Sequence, residues 1–279
     1  MQSKIYVVAS PLGNLEDLSP RAKRILEEVD LIACEDTRRT GQLLHSLNIL
    51  NKKLISYYDG NEIKRAQELI TQLKQGSQTL ALVSDAGTPA IADPGYRLIK
   101  LAHEAQIPVL PIPGPSTLSS LISVSGLASD RVLFIGFLPR KKSEWEHELS
   151  TWKSSRASIL AFESTNRIID SLDVIAESFP KALICLGREL TKVYEEVRLF
   201  TMAEAKLWAR EHTHLKGELA LMLSLQIDEA GQEEDMWAPF LSKAKFLLGK
   251  GLSVKDTVEF FADEVPDKKT FYKKLHELP

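Results

Sequence analysis

Apolar, β-branched runs that alternate with helical patterns constrain the fold of this chain more than any other feature of its sequence. Residues 4–9, 31–34, 53–57, 79–83 and 109–112 read as strands, and helical periodicity fills 21–29, 37–47, 61–75 and 96–105 between them. Ser19-Pro20 supplies an N-cap and a proline at the first helical position, and Gly76 falls where a helix C-cap belongs. Strand–helix alternation of this kind predicts a mostly parallel sheet covered on both faces.

Three of the strand ends lead into stiff loops. The run that closes at Val83 continues as Ser84-Asp85-Ala86-Gly87-Thr88-Pro89-Ala90-Ile91-Ala92-Asp93-Pro94-Gly95. Glycine lets backbone approach a ligand, and proline fixes the loop. The first strand leads into Ser10-Pro11-Leu12-Gly13-Asn14, and the fifth into Pro113-Gly114-Pro115-Ser116-Thr117. All three can lie along the carboxyl edge of one sheet, where α/β proteins build ligand sites. None carries a G-x-G-x-x-G or Gly-Lys-Ser/Thr fingerprint, which argues against a phosphate cradle. A compact apolar slot with few charges suits an adenosyl group attached to a sulfonium. Asp93-Pro94-Gly95 reads as the start of the next helix.

Beyond Pro115 the pattern changes. Strands are expected at 132–137, 158–162, 182–186, 193–200 and 219–225, with helices at 144–153, 168–179 and 203–212. Strand 193–200 follows 182–186 with no room for a helix, so part of this second sheet is expected to be antiparallel. The reading gives an N-terminal α/β domain at 1–114 and a second at 115–227. An acidic, flexible linker follows at 228–236, and a small helical module at 237–279, with helices at 238–248, 254–262 and 268–278. Ser253 and Asp256 form a capping pair, Gly249 and Gly251 sit in a turn, and the module resembles a helix-turn-helix.

The net charge of −3 removes any global basic field, so a nucleic-acid partner would need local patches. Cys34 and Cys185 each stand alone in an apolar run, as thiols do in a reducing cytosol. No apolar run reaches membrane-spanning length and the N-terminus lacks a signal-peptide core, so the expected location is cytoplasmic, with no membrane partner. His45, His103, His147, His212, His214 and His276 show no metal-ligand spacing, so no metal is expected. Trp145 and Trp152, seven apart on one helix face, read as core.

Ser10-Pro11-Leu12-Gly13-Asn14-Leu15-Glu16-Asp17, Cys34-Glu35-Asp36-Thr37-Arg38, Ser84-Asp85-Ala86-Gly87-Thr88-Pro89 and Pro113-Gly114-Pro115-Ser116 together resemble the tetrapyrrole-methylase superfamily. Phe162-Glu163-Ser164-Thr165-Asn166-Arg167, Gly187-Arg188-Glu189-Leu190-Thr191-Lys192 and Lys216-Gly217-Glu218 point to its small-subunit rRNA methyltransferase I branch. The resemblance covers residues 1–225 and extends loosely through the tail. It implies an α/β, two-domain tetrapyrrole-methylase-like fold, with a mostly parallel N-terminal sheet and a mixed C-terminal one. It also implies S-adenosylmethionine as cofactor in the cleft between the domains, a homodimer, and 2′-O-methylation of a cytidine in 16S rRNA near the decoding site of the small ribosomal subunit. Its motifs place cofactor contacts on Leu12, Asp85, Gly87, Ser116 and Thr117, and further on Pro11, Gly13, Pro89, Phe162 and Ala220. Lys141-Lys142-Ser143-Glu144-Trp145-Glu146 is poorer in arginine than that branch usually is. Two other functions stand beside this one: a corrin or porphyrin methylase of the same superfamily, and a non-catalytic RNA- or ribosome-binding protein. The helical tail and the basic segments favour RNA.

A ribose hydroxyl is a weak acid and needs a proton acceptor. Glu35, Asp36, Glu163, Glu189, Lys192 and Lys216 are candidates, with Glu163, Glu189 and Lys192 preferred because each ends or follows a strand of the second domain. Each also has a structural reading: Glu163 as a helix cap, Arg188-Glu189 as an ion pair, Glu35-Asp36 as a cap. Phosphate contacts are expected from Arg38, Arg39, Arg140, Lys141, Lys142, Arg167, Arg188 and Lys192, and in the tail from Lys268, Lys269, Lys273 and Lys274.

Overall fold

The structure, a computed structural model, describes residues 2–212, 214, 217–226, 229–262, 264–265 and 267–276. The chain divides into two compact units, Met1–Leu225 and Gln226–Pro279. In the first, strands β1 (Lys4–Val8), β2 (Leu31–Cys34), β3 (Lys53–Ser56), β4 (Thr79–Val83) and β5 (Val109–Ile112) form a wholly parallel sheet ordered β3-β2-β4-β1-β5. Side chains alternate across it. Leu31, Ala33, Leu80 and Leu82 join one buried layer, and Ile32, Cys34, Ala81 and Val83 the other. Burial on both faces is why these strands read as continuous apolar runs.

Helices α1 (Pro20–Glu28) and α2 (Thr37–Ser46) feed the second of these layers, through Ala22, Ile25, Leu26 and Leu44. Helices α3 (Glu62–Gln75) and α4 (Tyr96–Glu104) feed the first, through Leu69, Leu73, Leu98 and Ala102. Ser19 caps α1 as expected, its hydroxyl accepting from the Ala22 amide at 3.1 Å with Pro20 beside it. Gly76 does close α3, but at φ −133°, a conformation open to any residue, so its identity as glycine is not what ends the helix.

Strands β6 (Val132–Phe137), β7 (Ser158–Ser164), β8 (Leu183–Arg188), β9 (Glu196–Thr201) and β10 (Glu218–Ser224) form a mixed sheet ordered β6-β7-β10-β8-β9. Only β6 and β7 run parallel. The other three pairings are antiparallel. Helices α6 (Lys142–Ser155), α7 (Ile168–Ser178) and α8 (Met202–Glu211) belong to this half, with Trp145 and Trp152 buried in edge-on contact at 5.9 Å. A helix absent from the sequence expectations, α5 (Thr117–Val124), packs on β10 through Leu121, which meets Cys185, Ala220 and Met222. Its serine-rich run carries little helical propensity, and burial of Leu121 decides its conformation. Both cysteines are fully buried, Cys34 in β2 and Cys185 in β8, and burial pushes both thiols up.

The second unit holds α9 (Glu229–Gly249), α10 (Val254–Phe260) and α11 (Lys268–His276) around a core of Trp237, Ala244, Phe261, Phe271 and Leu275. The expected linker at 228–236 is corrected from Glu229 onward: α9 runs through it, with Pro239 inside the helix rather than near its start. The Ser253 hydroxyl donates to Asp256 at 2.6 Å and accepts from its amide at 3.1 Å, so that capping pair is present. No helix among the described residues is long and apolar enough to cross a membrane.

Candidate active site

The loops after β1, β4 and β5 are tied to one another by backbone. Ser10 and Gly87 exchange two hydrogen bonds, amide to carbonyl, at 2.9 and 3.0 Å. The Ser10 hydroxyl donates to the Ser84 carbonyl at 3.0 Å, and the Thr88 hydroxyl to the Pro115 carbonyl at 3.1 Å. Gly87 lies at φ +78°, and a methyl group there would stand 3.1 Å from the Leu12 Cδ2. Gly95, at φ +148°, is wedged so closely that a methyl would meet the Ala90 Cβ at 2.9 Å. Ala90 and Ala92 both hold left-handed backbone, at φ 64° and 62°. For L-residues such conformations cost about 1–3 kcal/mol each and persist only where surroundings impose them. Glu62 fixes the downstream end, accepting from the Gly95 amide at 3.0 Å and pairing with Arg97 at 3.2 Å.

These loops form one wall of a cleft of about 380 Å³ within the first unit. Leu12, Glu35, Arg39, Asp85, Gly87, Thr88, Asp93, Ser116 and Thr117 line that wall. The ends of β6, β7, β8 and β10 supply the other, with Phe137, Phe162, Glu163, Ser164, Gly187, Gly217, Glu218 and Ala220. A bulge between Phe134 and Phe137 shifts the β6 register and sets Phe137 against Phe162 at 5.7 Å. Of the residues expected to hold a cofactor, Leu12, Asp85, Gly87, Ser116, Thr117, Phe162 and Ala220 line the cleft, while Pro11, Gly13 and Pro89 do not. The cleft is also more acidic than the sequence suggested. Glu35, Asp85, Asp93 and Glu163 all reach it, because residues far apart in the chain converge at the strand ends.

Each carboxylate has its own environment. Asp85 accepts from the Asp36 amide at 3.1 Å and pairs with Arg39 at 3.2 Å. Burial, reinforced by Asp85 and Asp59, raises the Glu35 carboxyl above its ordinary range. Burial and the charge of Glu35 push Asp93 up to about 6. Asp93 lines the cleft as well as preceding α4, and neither periodicity nor motif singled it out. Asp36 is drawn the other way, its carboxyl held far below the usual range by hydrogen bonds from Arg38.

Glu163 is 1% exposed and accepts from the Ser164 amide at 2.6 Å, Arg167 at 2.8 Å and the Ser171 hydroxyl at 2.6 Å. Three donors on a buried carboxylate suit a positioning role, and leave little capacity for proton acceptance. Glu189 and Lys192 stand off the cleft lining. Lys192 donates to Glu189 at 3.0 Å and to Glu218 at 3.4 Å, and its aliphatic stem lies over Gly13. Against the upward push of burial, the Glu218 amide and Lys192 hold the Glu189 carboxyl low. The anticipated Arg188–Glu189 ion pair is replaced: Arg188 pairs with Glu196 at 3.2 Å, across the β8–β9 ladder. Lys216 lies outside the described residues.

The basic residues divide similarly. Arg140, Lys141 and Lys142 are exposed at the start of α6, with Lys141 loosely paired to Glu144 at 3.7 Å. Arg38 is exposed beside Asp36, and Arg39 stands at the cleft. Arg167 turns inward, donating to the Leu138 and Pro139 carbonyls as well as Glu163. Lys268, Lys269 and Lys273 are exposed on α11.

Comparison with known proteins agrees with this geometry. Residues 4–206 match the family model of the Tetrapyrrole (Corrin/Porphyrin) Methylases. The protein named Ribosomal RNA small subunit methyltransferase I from Escherichia coli O157:H7 is 41% identical over 94% of this chain and 90% of its own length. Its namesake from Halalkalibacterium halodurans is 39% identical over 98% of this chain and 94% of its own length. Among solved structures, a diphthine synthase superposes with TM-score 0.60 at 13% identity, covering 80% of this chain and 90% of that one. The uroporphyrin-III-C-methyltransferase of Thermus thermophilus gives 0.54 at 18% identity, covering 83% and 96%. With its two-sheet architecture, its three clamped loops and these relatives along nearly its whole length, this chain belongs to the tetrapyrrole methylase family, in the branch of the small-subunit ribosomal RNA methyltransferases I.

Proposed function

We propose that the protein is an S-adenosylmethionine-dependent methyltransferase that methylates the 2′-hydroxyl of a cytidine in 16S rRNA. The observation that carries this reading is the near-complete match to relatives named as small-subunit rRNA methyltransferases, 41% identical over 94% of the chain in one case. The cleft suits the donor on its own evidence. Its volume of about 380 Å³ falls within the roughly 300–1,000 Å³ of small-molecule sites. Gly87 brings bare backbone to the cleft wall beside the Leu12 side chain, Phe137 and Phe162 offer apolar rings, and the carboxylates favour a cationic sulfonium. When bound, S-adenosylmethionine supplies the electrophilic methyl group.

The chain's own residues bind, orient and exclude water. Leu12, Asp85, Gly87, Ser116, Thr117, Phe162 and Ala220 hold the donor in this reading, with the Pro11, Gly13 and Pro89 backbone shaping the loops around them. Glu163 positions β7 against α7 through Ser171 and Arg167. Glu189 and Lys192 fix the segment between β8 and β10 at the cleft mouth through Glu218. Orientation of donor and hydroxyl can contribute about 7–11 kcal/mol to lowering the barrier. Arg38, Arg39, Arg140, Lys141, Lys142, Lys268 and Lys269 make phosphate contacts, with Arg167 and Arg188 held closer to the scaffold. A homodimer in the cytoplasm, acting on the small ribosomal subunit, completes the proposal.

The test is methyl transfer from labelled donor to assembled small subunits, naked 16S rRNA and a porphyrinogen in parallel. Label in a cytidine ribose of the rRNA is the expected result. Label only in the porphyrinogen would overturn the proposal, and donor binding without transfer to any acceptor would point to a non-catalytic scaffold.

A further inference from the structure

Transfer to a ribose hydroxyl needs a group that takes the hydroxyl proton as the new bond forms. The polar groups facing the cleft can be weighed one at a time. Asp85 is occupied by the Asp36 amide and by Arg39. Glu163 already accepts three hydrogen bonds and is shut away from solvent. Glu218, 80% exposed and bridged by Lys192, sits in water at the mouth. Serine and threonine hydroxyls are not basic. Glu35 and Asp93 remain, and among the described residues no salt bridge reaches either.

Asp93 is the better placed of the two. It is half-buried, between Ala92 in left-handed backbone and the rigid Pro94, with Gly95 wedged against Ala90 just beyond. This is the strained half of the loop, and strain held by packing is a way of fixing a side chain for chemistry. The Ser84 hydroxyl, at the head of the same loop, donates to the Ala86 and Gly87 carbonyls at 3.2 Å each.

Building on the methyltransferase reading above, we infer that Asp93, backed by Glu35, is the general base that takes the ribose 2′-OH proton. The ribose O2′ bonds to the methyl carbon as the carbon–sulfur bond breaks, and that bond's electron pair stays on sulfur. The O2′ proton passes to an Asp93 carboxylate oxygen and then to solvent. The surrounding charges suit the task. Glu35, Asp85 and Asp59 add to burial in raising Asp93, and Ser84 opposes them. Arg39 lowers Glu35 while Asp36 raises it. A carboxylate poised near 6 remains ionised at neutral pH, yet is a stronger base than a free one.

The experiment compares wild type with Asp93→Asn, Asp93→Glu and Glu35→Gln, measuring single-turnover transfer to 16S rRNA against pH, donor affinity by calorimetry, and the carboxyl infrared band of the free protein. Asp93→Asn is expected to lower the single-turnover rate by about 10²-fold or more, with donor affinity within about threefold of wild type. An infrared band titrating near pH 6 in wild type disappears in this variant, and Asp93→Glu recovers part of the rate. Glu35→Gln, which leaves the loop intact, moves the acid limb of the rate profile to lower pH. A wild-type rate and profile in Asp93→Asn would overturn the inference alone. So would more than about tenfold loss of donor affinity with an unchanged rate at saturation, which would assign the carboxylate to the donor's amino group. An acid limb unmoved by Glu35→Gln would also count against it. Failure of wild type to methylate rRNA at all would bring down both the methyltransferase reading and this inference.

Discussion

Glu163 and Asp93 line the same cleft, yet removing their charges has opposite effects on stability. Glu163 is buried against Arg167, Ser171 and the Ser164 amide. Truncation to alanine leaves Arg167 without its carboxylate, and the expected loss is about 3–5 kcal/mol, read by denaturant unfolding. Asp93 lies in an environment that raises its carboxyl to about 6 from an ordinary 3.8. Its folded form therefore holds a proton that the unfolded chain gives up at lower pH. The stability linked to it is complete below 3.8 and is lost as pH rises through about 6. Asp93→Asn removes that loss, so the variant is expected to exceed wild type above pH 6 by about 1–2 kcal/mol, solvent screening at this half-buried position trimming the full effect of the shift, and to match it in acid. Thermal unfolding across that range checks the sign. A variant that gains stability as it loses turnover is the ordinary signature of a residue kept for chemistry.

At the scale of elements, the three loops act as one unit because backbone ties Ser10 to Gly87 and a hydroxyl ties Thr88 to Pro115. Gly87→Ala forces a methyl toward Leu12 in left-handed backbone, and is expected to cost about 1–2 kcal/mol and to weaken donor binding. Calorimetric titration with S-adenosylmethionine measures the second effect. Much of this was legible beforehand. The parallel sheet followed from β-branched runs, and the loops from glycine and proline at the ends of β1, β4 and β5. What escaped reading depends on convergence. Arg188 faces Glu196 through a strand register no local pattern specifies. Asp93 lines the cleft from a loop that holds two alanines in left-handed backbone, a conformation no local pattern announces. Helix α5 forms for the sake of one buried leucine, and α9 extends through an acidic stretch that carries no apolar period.

For the molecule as a whole, a net charge of −3 means that any grip on RNA is local. Affinity for 16S rRNA should fall as salt rises, with a log–log slope of about −0.7 per neutralised phosphate on single strands. Joint replacement of Arg140, Lys141 and Lys142 by alanine should flatten that slope, measured by filter binding, without altering donor affinity. The protein also carries a pair of built-in reporters. Cys34 closes β2 at the carboxyl end of the parallel sheet and Cys185 lies within the mixed one, each fully buried with a suppressed thiolate. A thiol reagent can reach either only when its own sheet opens, so site-resolved labelling rates, taken with and without donor, would time the opening of the two walls of the cleft independently, at native residues and with no engineered cysteine.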